Sequence, residues 1–385
     1  MTLFPPPHPD DLRPDVLGYQ QTQTVDAVAR RRRRLGWGIG AGTLAVLLFG
    51  GLAVAVGVTA ANQFGAIIHP AQIETASEPT TAGTTPASAA QQVGVVTIDT
   101  DLYYGSGQAA GTGMILTSDG TILTNNHVVE GSTTITVTVE STGEKYTADV
   151  VGTDKTVDVA VLQLEDASGL DAVKIDSAEA AVGDTVTSVG NAEGTGDLVA
   201  AIGTVTDVAQ RITVTDELTG KPKALTDLIE VNADVVSGDS GGPLFDADGE
   251  VTGIVTAASS GGRSVTGYAI PIATALGVAD QILAGDESGT VSLGLPAFLG
   301  LTIDSAATAV GASIADVIAD LPAATAGLVA GDVITSIDGA PVTSYDTLSA
   351  LMDGYEPGDT ITVGFTDAAG AASTVMLTLV EGPAE

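Results

Sequence analysis

From residue 93 onward the apolar positions fall into short Val-, Ile- and Thr-rich runs separated by Gly, Asp and Asn. VGVVTIDT (93–100), TTITVTVE (133–140), EKYTADVVGTD (144–154), VDVAVLQL (157–164) and DTVTSVGN (184–191) follow one another in this way. β-Branched residues lose χ1 freedom in a helix but pack well on a pleated sheet, and runs of them every ten residues or so predict a β-sandwich or barrel. The stretch GTGMILTSDGTILTNNHVV (111–129) holds two runs divided by Ser118, Asp119 and Gly120, which predicts a hairpin. No helical periodicity of comparable strength interrupts this series before residue 272, so an α/β fold is not expected.

The pattern changes at both ends. Residues 35–61, LGWGIGAGTLAVLLFGGLAVAVGVTAA, carry no charge and only Thr43 and Thr59 as polar side chains. About 20 apolar residues cross a bilayer. This run is longer than the apolar core of a secretory signal and lies behind a leader of about 30 residues, so it predicts one uncleaved transmembrane helix. Arg30 to Arg34 directly precede it, which by the positive-inside rule keeps residues 1–34 in the cytoplasm and sends everything after residue 61 outside. The leader 1–34 and the segment 62–92 lack apolar periodicity and read as unstructured, the second as a flexible tether. A folded unit is expected over 93–285, a linker over 286–294 and a second unit over 295–382. In the latter, SYDTLSALM (344–352) reads as a helix with Leu348 and Leu351 on one face.

Composition narrows the chemistry. The 385 residues include no cysteine, which excludes disulfides, thiolate nucleophiles and Cys-based zinc sites. There are three histidines. His8 and His69 fall in the unstructured segments, leaving His127 alone in the folded region, so neither a metal site nor a cofactor is expected. Six of the 13 basic residues and four of the 48 acidic ones lie in residues 1–60, which leaves seven against 44 beyond. A surface this acidic repels phosphates and argues against a nucleic-acid partner.

The string SGDSGGPLFD (237–246) crowds glycines around Ser240. Such loops occur as plain turns, but they also aim backbone N–H groups at an oxyanion beside an attacking serine. His127, in TNNHVVEG at the end of a strand, and Asp158, at the start of VDVAVLQL, complete a His–Asp–Ser order on an all-β chain. In that arrangement His127 takes the proton from the Ser240 hydroxyl and returns it to the leaving amine, Asp158 holds the imidazole tautomer, and the N–H groups of Gly238 and Ser240 form the oxyanion hole.

GTGMILTSDGTILTNNHVV, DVAVLQL and SGDSGGPLFDADGEVTGIVTA resemble the trypsin-like serine proteases of the HtrA (Deg) family over residues 93–285. The resemblance implies a mainly β chymotrypsin/trypsin-like double six-stranded β-barrel, unfolded or partly folded polypeptides as substrates, and trimers. Two positions depart from the family pattern. Asp239 stands where Asn is usual, as in digestive-type proteases whose aspartate pairs with a new N-terminal amine. Asp234 matches the floor of a trypsin-like specificity pocket with walls at Thr256, Ala258 and Gly267; it either selects a basic P1 side chain or turns away to leave a small apolar pocket.

The second unit resembles a small α+β PDZ domain in its bacterial form, on FLGL (298–301) and AGLVAGDVITSIDG (326–339). The resemblance implies that an extended peptide adds as a strand, with its C-terminal carboxylate capped at Phe298, Leu299, Gly300 and Leu301. The chain is thus expected to be a membrane-tethered serine endopeptidase outside the cytoplasm with a peptide-binding domain. The alternative is a catalytically silent peptide-binding scaffold or chaperone-like module.

Overall fold

The computed structural model describes residues 45–47, 83–105, 107–215, 222–259, 266–304 and 310–385. His8, His69 and the leader 1–34 lie outside the described residues, as does the expected membrane span 35–61 apart from Ala45–Leu47. That short segment pairs in parallel with Thr213–Thr215. Among the described residues no helix is long and apolar enough to cross a membrane.

Six strands form the first barrel: β1 (Val95–Leu102), β2 (Gly107–Ile115), β3 (Thr121–Thr124), β4 (Ser132–Val139), β5 (Glu144–Asp154) and β6 (Val159–Leu164). Their order β5-β4-β1-β2-β3-β6 closes through pairing of β5 with β6. The second barrel repeats the plan with β7 (Thr185–Gly190), β8 (Val199–Thr215), β9 (Pro222–Val231), β10 (Pro243–Phe245), β11 (Val251–Ser259) and β12 (Thr266–Pro271). It runs β8-β9-β12-β11-β10-β7 and closes through β8 with β7. Closure pairs the first and last strands of each order and so removes most of the exposed sheet edge.

Each barrel has its own apolar interior, with Ile98, Ile115, Ile122, Val137 and Leu162 in the first and Val186, Ile229, Leu244 and Val255 in the second. A third cluster joins them: Val95, Met114, Leu123 and Val161 of the first barrel meet Val189, Ile254 and Ile270 of the second. The helix α2 (Ile272–Leu283) lies on this seam through Ile272, Ala275, Val278, Ala279 and Ile282, a stripe at helical spacing. Strands buried on both faces read as continuous apolar runs, which is why β3 and β6 lack a polar face.

Beyond α2 the chain returns to the first barrel. Val291–Leu293, inside the stretch expected to be a linker, pairs antiparallel with Gly152–Asp154, because Val291 buries against the inter-barrel cluster. The PDZ-like unit has the strand path Leu301–Ile303, Ala312–Val317, Val333–Ile337, Thr360–Thr366, Ala372–Thr378. Its longer helix, Tyr345–Met352, begins at Ser344, whose hydroxyl accepts the Thr347 N–H, and buries Leu348 in the unit's core. The residues after it do not trail away. Ala384 inserts into the first barrel's apolar cluster, and its backbone exchanges hydrogen bonds with Gly131 (2.7 Å) and Ser132 (2.9 Å). At the other end, Ala87 is buried and Thr85–Pro86 pair with β8, so part of the expected tether belongs to the second barrel.

Candidate active site

His127 sits in α1 (Asn126–Val129), a single helical turn that leaves β3 at the seam between the barrels. Asp158 precedes β6 with φ +67, a left-handed conformation that Asp tolerates better than most residues. The turn is held by the Asp158 N–H on the Asp154 carbonyl (2.8 Å) and by the Asn125 amide on the Asp158 carbonyl (2.8 Å). It aims the carboxylate inward, where it is fully buried.

Four donors surround that carboxylate. One oxygen accepts from His127 Nδ1 at 2.8 Å and from the Thr256 hydroxyl at 2.6 Å. The other accepts the His127 backbone N–H at 3.1 Å and faces Lys223 Nζ at 3.5 Å. Burial alone would raise the carboxyl's pKa; the facing His127, Lys223 and Thr256 outweigh it and hold it at about 2. With Nδ1 committed to this ionised partner, Nε2 is the imidazole's free acceptor.

Ser240 follows at the tip of the glycine loop, and its Oγ donates to the Thr256 carbonyl at 3.4 Å. Gly238 has φ +92, and a Cβ there would lie 2.0 Å from the Asn191 carbonyl oxygen, so no other residue fits. The Ser237 carbonyl accepts the Glu193 N–H at 2.6 Å, and the Asp239 carbonyl accepts the Gly242 N–H at 3.0 Å. In a trans peptide the N–H points opposite the C=O, so the Gly238 and Ser240 N–H groups are turned away from those two contacts. Beside Ser237 opens a cleft of about 490 Å³ lined by Asp99, Asp101, Gln108, Lys145 and Glu193 among others.

Thr112 of β2 ties this loop to the opposite barrel. Its N–H donates to the Ser240 carbonyl at 2.9 Å, its hydroxyl donates to the Gly238 carbonyl at 2.7 Å, and the same hydroxyl accepts the Asn191 N–H at 2.9 Å. Asp239, expected to need a partner, has one oxygen on the Val236 N–H at 2.9 Å and the other buried without a hydrogen bond. Burial pushes this carboxyl up to about 7, with nearby Asp234 adding to the rise and the Val236 N–H opposing it.

The expected specificity pocket is built differently. Thr256 turns its hydroxyl to Asp158 rather than to a pocket, since a buried carboxylate takes every donor within reach. A Cβ on Gly267 would lie 2.6 Å from a Val235 methyl, so the space left by that glycine is filled by Val235, which is buried in the second barrel's core. Ala258 stands opposite Gly267 in the ladder. Asp234 remains half-exposed beside this packing.

In the PDZ-like unit Leu299 is buried, and the carbonyls of Leu299 and Gly300 accept N–H groups of Ala323 and Ile318, both at 2.9 Å. Gly300 has φ +81 and Leu301 begins a strand. Phe298 departs from the expected peptide-contacting role: it pairs with Val380 and stacks on Tyr104 of the first barrel, ring centroids 6.0 Å apart and planes 10° from parallel. A half-buried aromatic face gains more from a neighbouring ring than from an open groove. Elsewhere, carboxylate oxygens of Asp176, Asp246 and Glu250 lie within 4.8 Å of one another, with Asp246 engaged by N–H groups of its own turn.

The profile of the trypsin-like peptidase domain matches residues 111–254, and that of the PDZ domain matches residues 297–367. Serine protease PepD of Mycobacterium tuberculosis is 30% identical over 381 residues, covering 91% of this chain and 79% of that protein. Periplasmic serine endoprotease DegP of Escherichia coli K12 is 33% identical over 267 residues, which cover 66% of this chain and 54% of DegP. The chain thus spans about half the length of the DegP relatives it matches. A solved serine endoprotease from Yersinia pestis aligns with a TM-score of 0.43 at 27% identity, over 77% of this chain and 99% of that one.

Proposed function

The chain belongs to the HtrA family of trypsin-like serine proteases with a PDZ domain, and from that premise we propose that it is a membrane-tethered endopeptidase acting on polypeptides outside the cytoplasm. The observation that carries the reading is the four-donor hold on the buried Asp158 carboxylate, which presents His127 with one tautomer beside a glycine loop bearing Ser240.

Ser240 Oγ attacks the scissile carbonyl while His127 Nε2 takes its proton. The carbonyl oxygen becomes an oxyanion received by the N–H groups of Gly238 and Ser240. His127 then gives the proton to the leaving amine, and a water molecule, activated by the same imidazole, releases the acyl group. The substrate chain lies across the cleft beside Ser237. Because Val235 fills the space at Gly267, the P1 side chain is small and aliphatic rather than basic. Peptide C-termini bind the PDZ unit at the backbone of Leu299, Gly300 and Leu301 and serve substrate capture or regulation.

The tether is a helix over residues 35–61. It and the three-residue pairing of Ala45–Leu47 with Thr213–Thr215 exclude one another. So short a parallel ladder yields readily to burial of about 20 apolar residues in a bilayer. The silent-scaffold reading has one observation in its favour, the Ser240 hydroxyl on the Thr256 carbonyl. At 3.4 Å that bond is at the long limit, and one χ1 rotation releases it.

Fluorophosphonate labelling with peptide mapping tests the proposal: Ser240 reacts, and Ser240→Ala abolishes both labelling and casein cleavage. Casein cleavage persisting in Ser240→Ala overturns it. Carbonate extraction tests the tether, with release of the full chain from membranes as the contrary result.

A further inference from the structure

We propose that Thr112 is a positioning residue of the oxyanion hole, its hydroxyl fixing the Gly238 peptide from the opposite barrel. The inference rests on the serine-protease reading above and adds to it a group outside the triad.

Gly238 has no Cβ, so nothing steric in the residue itself decides which way its N–H points. Hydrogen bonds must supply that direction. The plane before Gly238 is held by the Glu193 N–H on the Ser237 carbonyl at 2.6 Å. The plane after it is held by the Thr112 hydroxyl on the Gly238 carbonyl at 2.7 Å. The first plane carries the Gly238 N–H itself; anchoring the second pins the Cα at its other side, so the first plane cannot tilt about it.

The hydroxyl cannot turn away from this task. It has one proton, and because it also accepts the Asn191 N–H at 2.9 Å, that proton is directed at Gly238. Thr112 is fully buried, so no water substitutes for either bond. Its carbonyl is occupied by the Thr124 hydroxyl at 2.7 Å and its N–H by the Ser240 carbonyl at 2.9 Å. Every polar atom of Thr112 is therefore used, and three of its four hydrogen-bond partners, Asn191, Gly238 and Ser240, lie around the reaction centre. A valine of the same shape keeps both backbone-group contacts and loses only the two made by the hydroxyl.

The test compares Thr112→Val with Thr112→Ser in the full chain, using a peptide substrate and a peptidyl boronate that mimics the tetrahedral state. Thr112→Val lowers kcat by roughly 10- to 100-fold, less than or equal to the loss of a whole oxyanion donor, with KM within about threefold. Affinity for the boronate falls by the same factor as kcat/KM. Thr112→Ser, which keeps the hydroxyl, restores kcat to within about threefold of wild type. A merely structural threonine would shift the unfolding midpoint without this kcat-against-KM split. If Thr112→Val does not fold, Thr112→Cys, similar in size with a weaker donor and acceptor, shows an intermediate kcat. Wild-type kcat in the folded Val or Cys variant overturns the inference, as does a Ser variant impaired like Val. A wild-type chain that neither labels at Ser240 nor cleaves overturns the protease reading and this inference with it; a labelled wild type with an unimpaired Val variant overturns this inference alone.

Discussion

Asp239→Asn, made in a Ser240→Ala background to prevent self-cleavage, isolates the energetic consequence of a buried carboxylate beside the nucleophile. Burial raises its carboxyl in the fold from 3.8 to about 7. Between these values the folded chain holds a proton that the unfolded chain has released. Stability therefore falls as pH rises from about 4 to about 7 and is level above that, with a total drop of roughly 4 kcal/mol. Asp158 has the opposite sign, because its folded value lies near 2, but its contribution is complete above the unfolded value and does not vary between pH 5 and 8. Asn keeps an acceptor for the Val236 N–H and cannot ionise. Whatever fixed cost its amide brings is the same at every pH, and every other group is common to both proteins. Urea unfolding of the protease transition at pH 5, 6, 7 and 8 measures the difference. The Asn variant gains on the parent from pH 5 to 7 by about 2 kcal/mol, and by only a few tenths more to pH 8. A difference that stays flat across the series refutes the reasoning and means that the second Asp239 oxygen is solvated or paired in solution.

Three further outcomes follow from the same geometry. Thr256→Val removes a hydrogen bond to a buried carboxylate, worth about 2 kcal/mol, and should lower kcat/KM on peptide substrates by roughly tenfold or more; steady-state kinetics within twofold of wild type would speak against its role. Lys223→Met removes the ammonium that helps hold the Asp158 carboxyl down, so acid unfolding followed by circular dichroism should shift to higher pH. Val235→Ala should admit larger aliphatic P1 residues in a P1-variable peptide library, whereas Asp234→Ser should leave the aliphatic preference unchanged; a switch away from basic P1 residues in Asp234→Ser would restore the trypsin-like pocket.

The readability of this chain divides along local and distant contacts. The β-branched runs and their turns carry the barrels, because strand propensity and alternation act over a few residues. Motif order pairs Asp158 with His127, but its left-handed backbone leaves no mark in the sequence, since Asp gives no such signal by itself. Lys223 reaches Asp158 across 65 positions of sequence from the start of a hairpin arm, and nothing around it marks it out. Val235 reads as one more apolar residue, and only its packing on Gly267 shows that it occupies the space that glycine leaves. Thr112 lay in plain view inside GTGMI, yet a threonine in a strand has an ordinary explanation until its hydroxyl is seen between two loops. Likewise Phe298 fits a peptide-binding loop by motif, and its stacking on Tyr104 is set by how two units dock, which no local pattern encodes.

The return of Ala384 to the first barrel changes how the PDZ-like unit can move. The chain leaves that barrel at Val291–Leu293, paired with Gly152–Asp154, and rejoins it at Gly131 and Ser132, two residues past the helical turn that carries His127. A body fastened at a single point swings about three axes; a second fastening leaves only rotation about the line between them, and a third, the stack of Phe298 on Tyr104, opposes that rotation as well. The PDZ-like unit is therefore a buttress set against the first barrel rather than a weight on a string, and one of its footings is the backbone beside the imidazole.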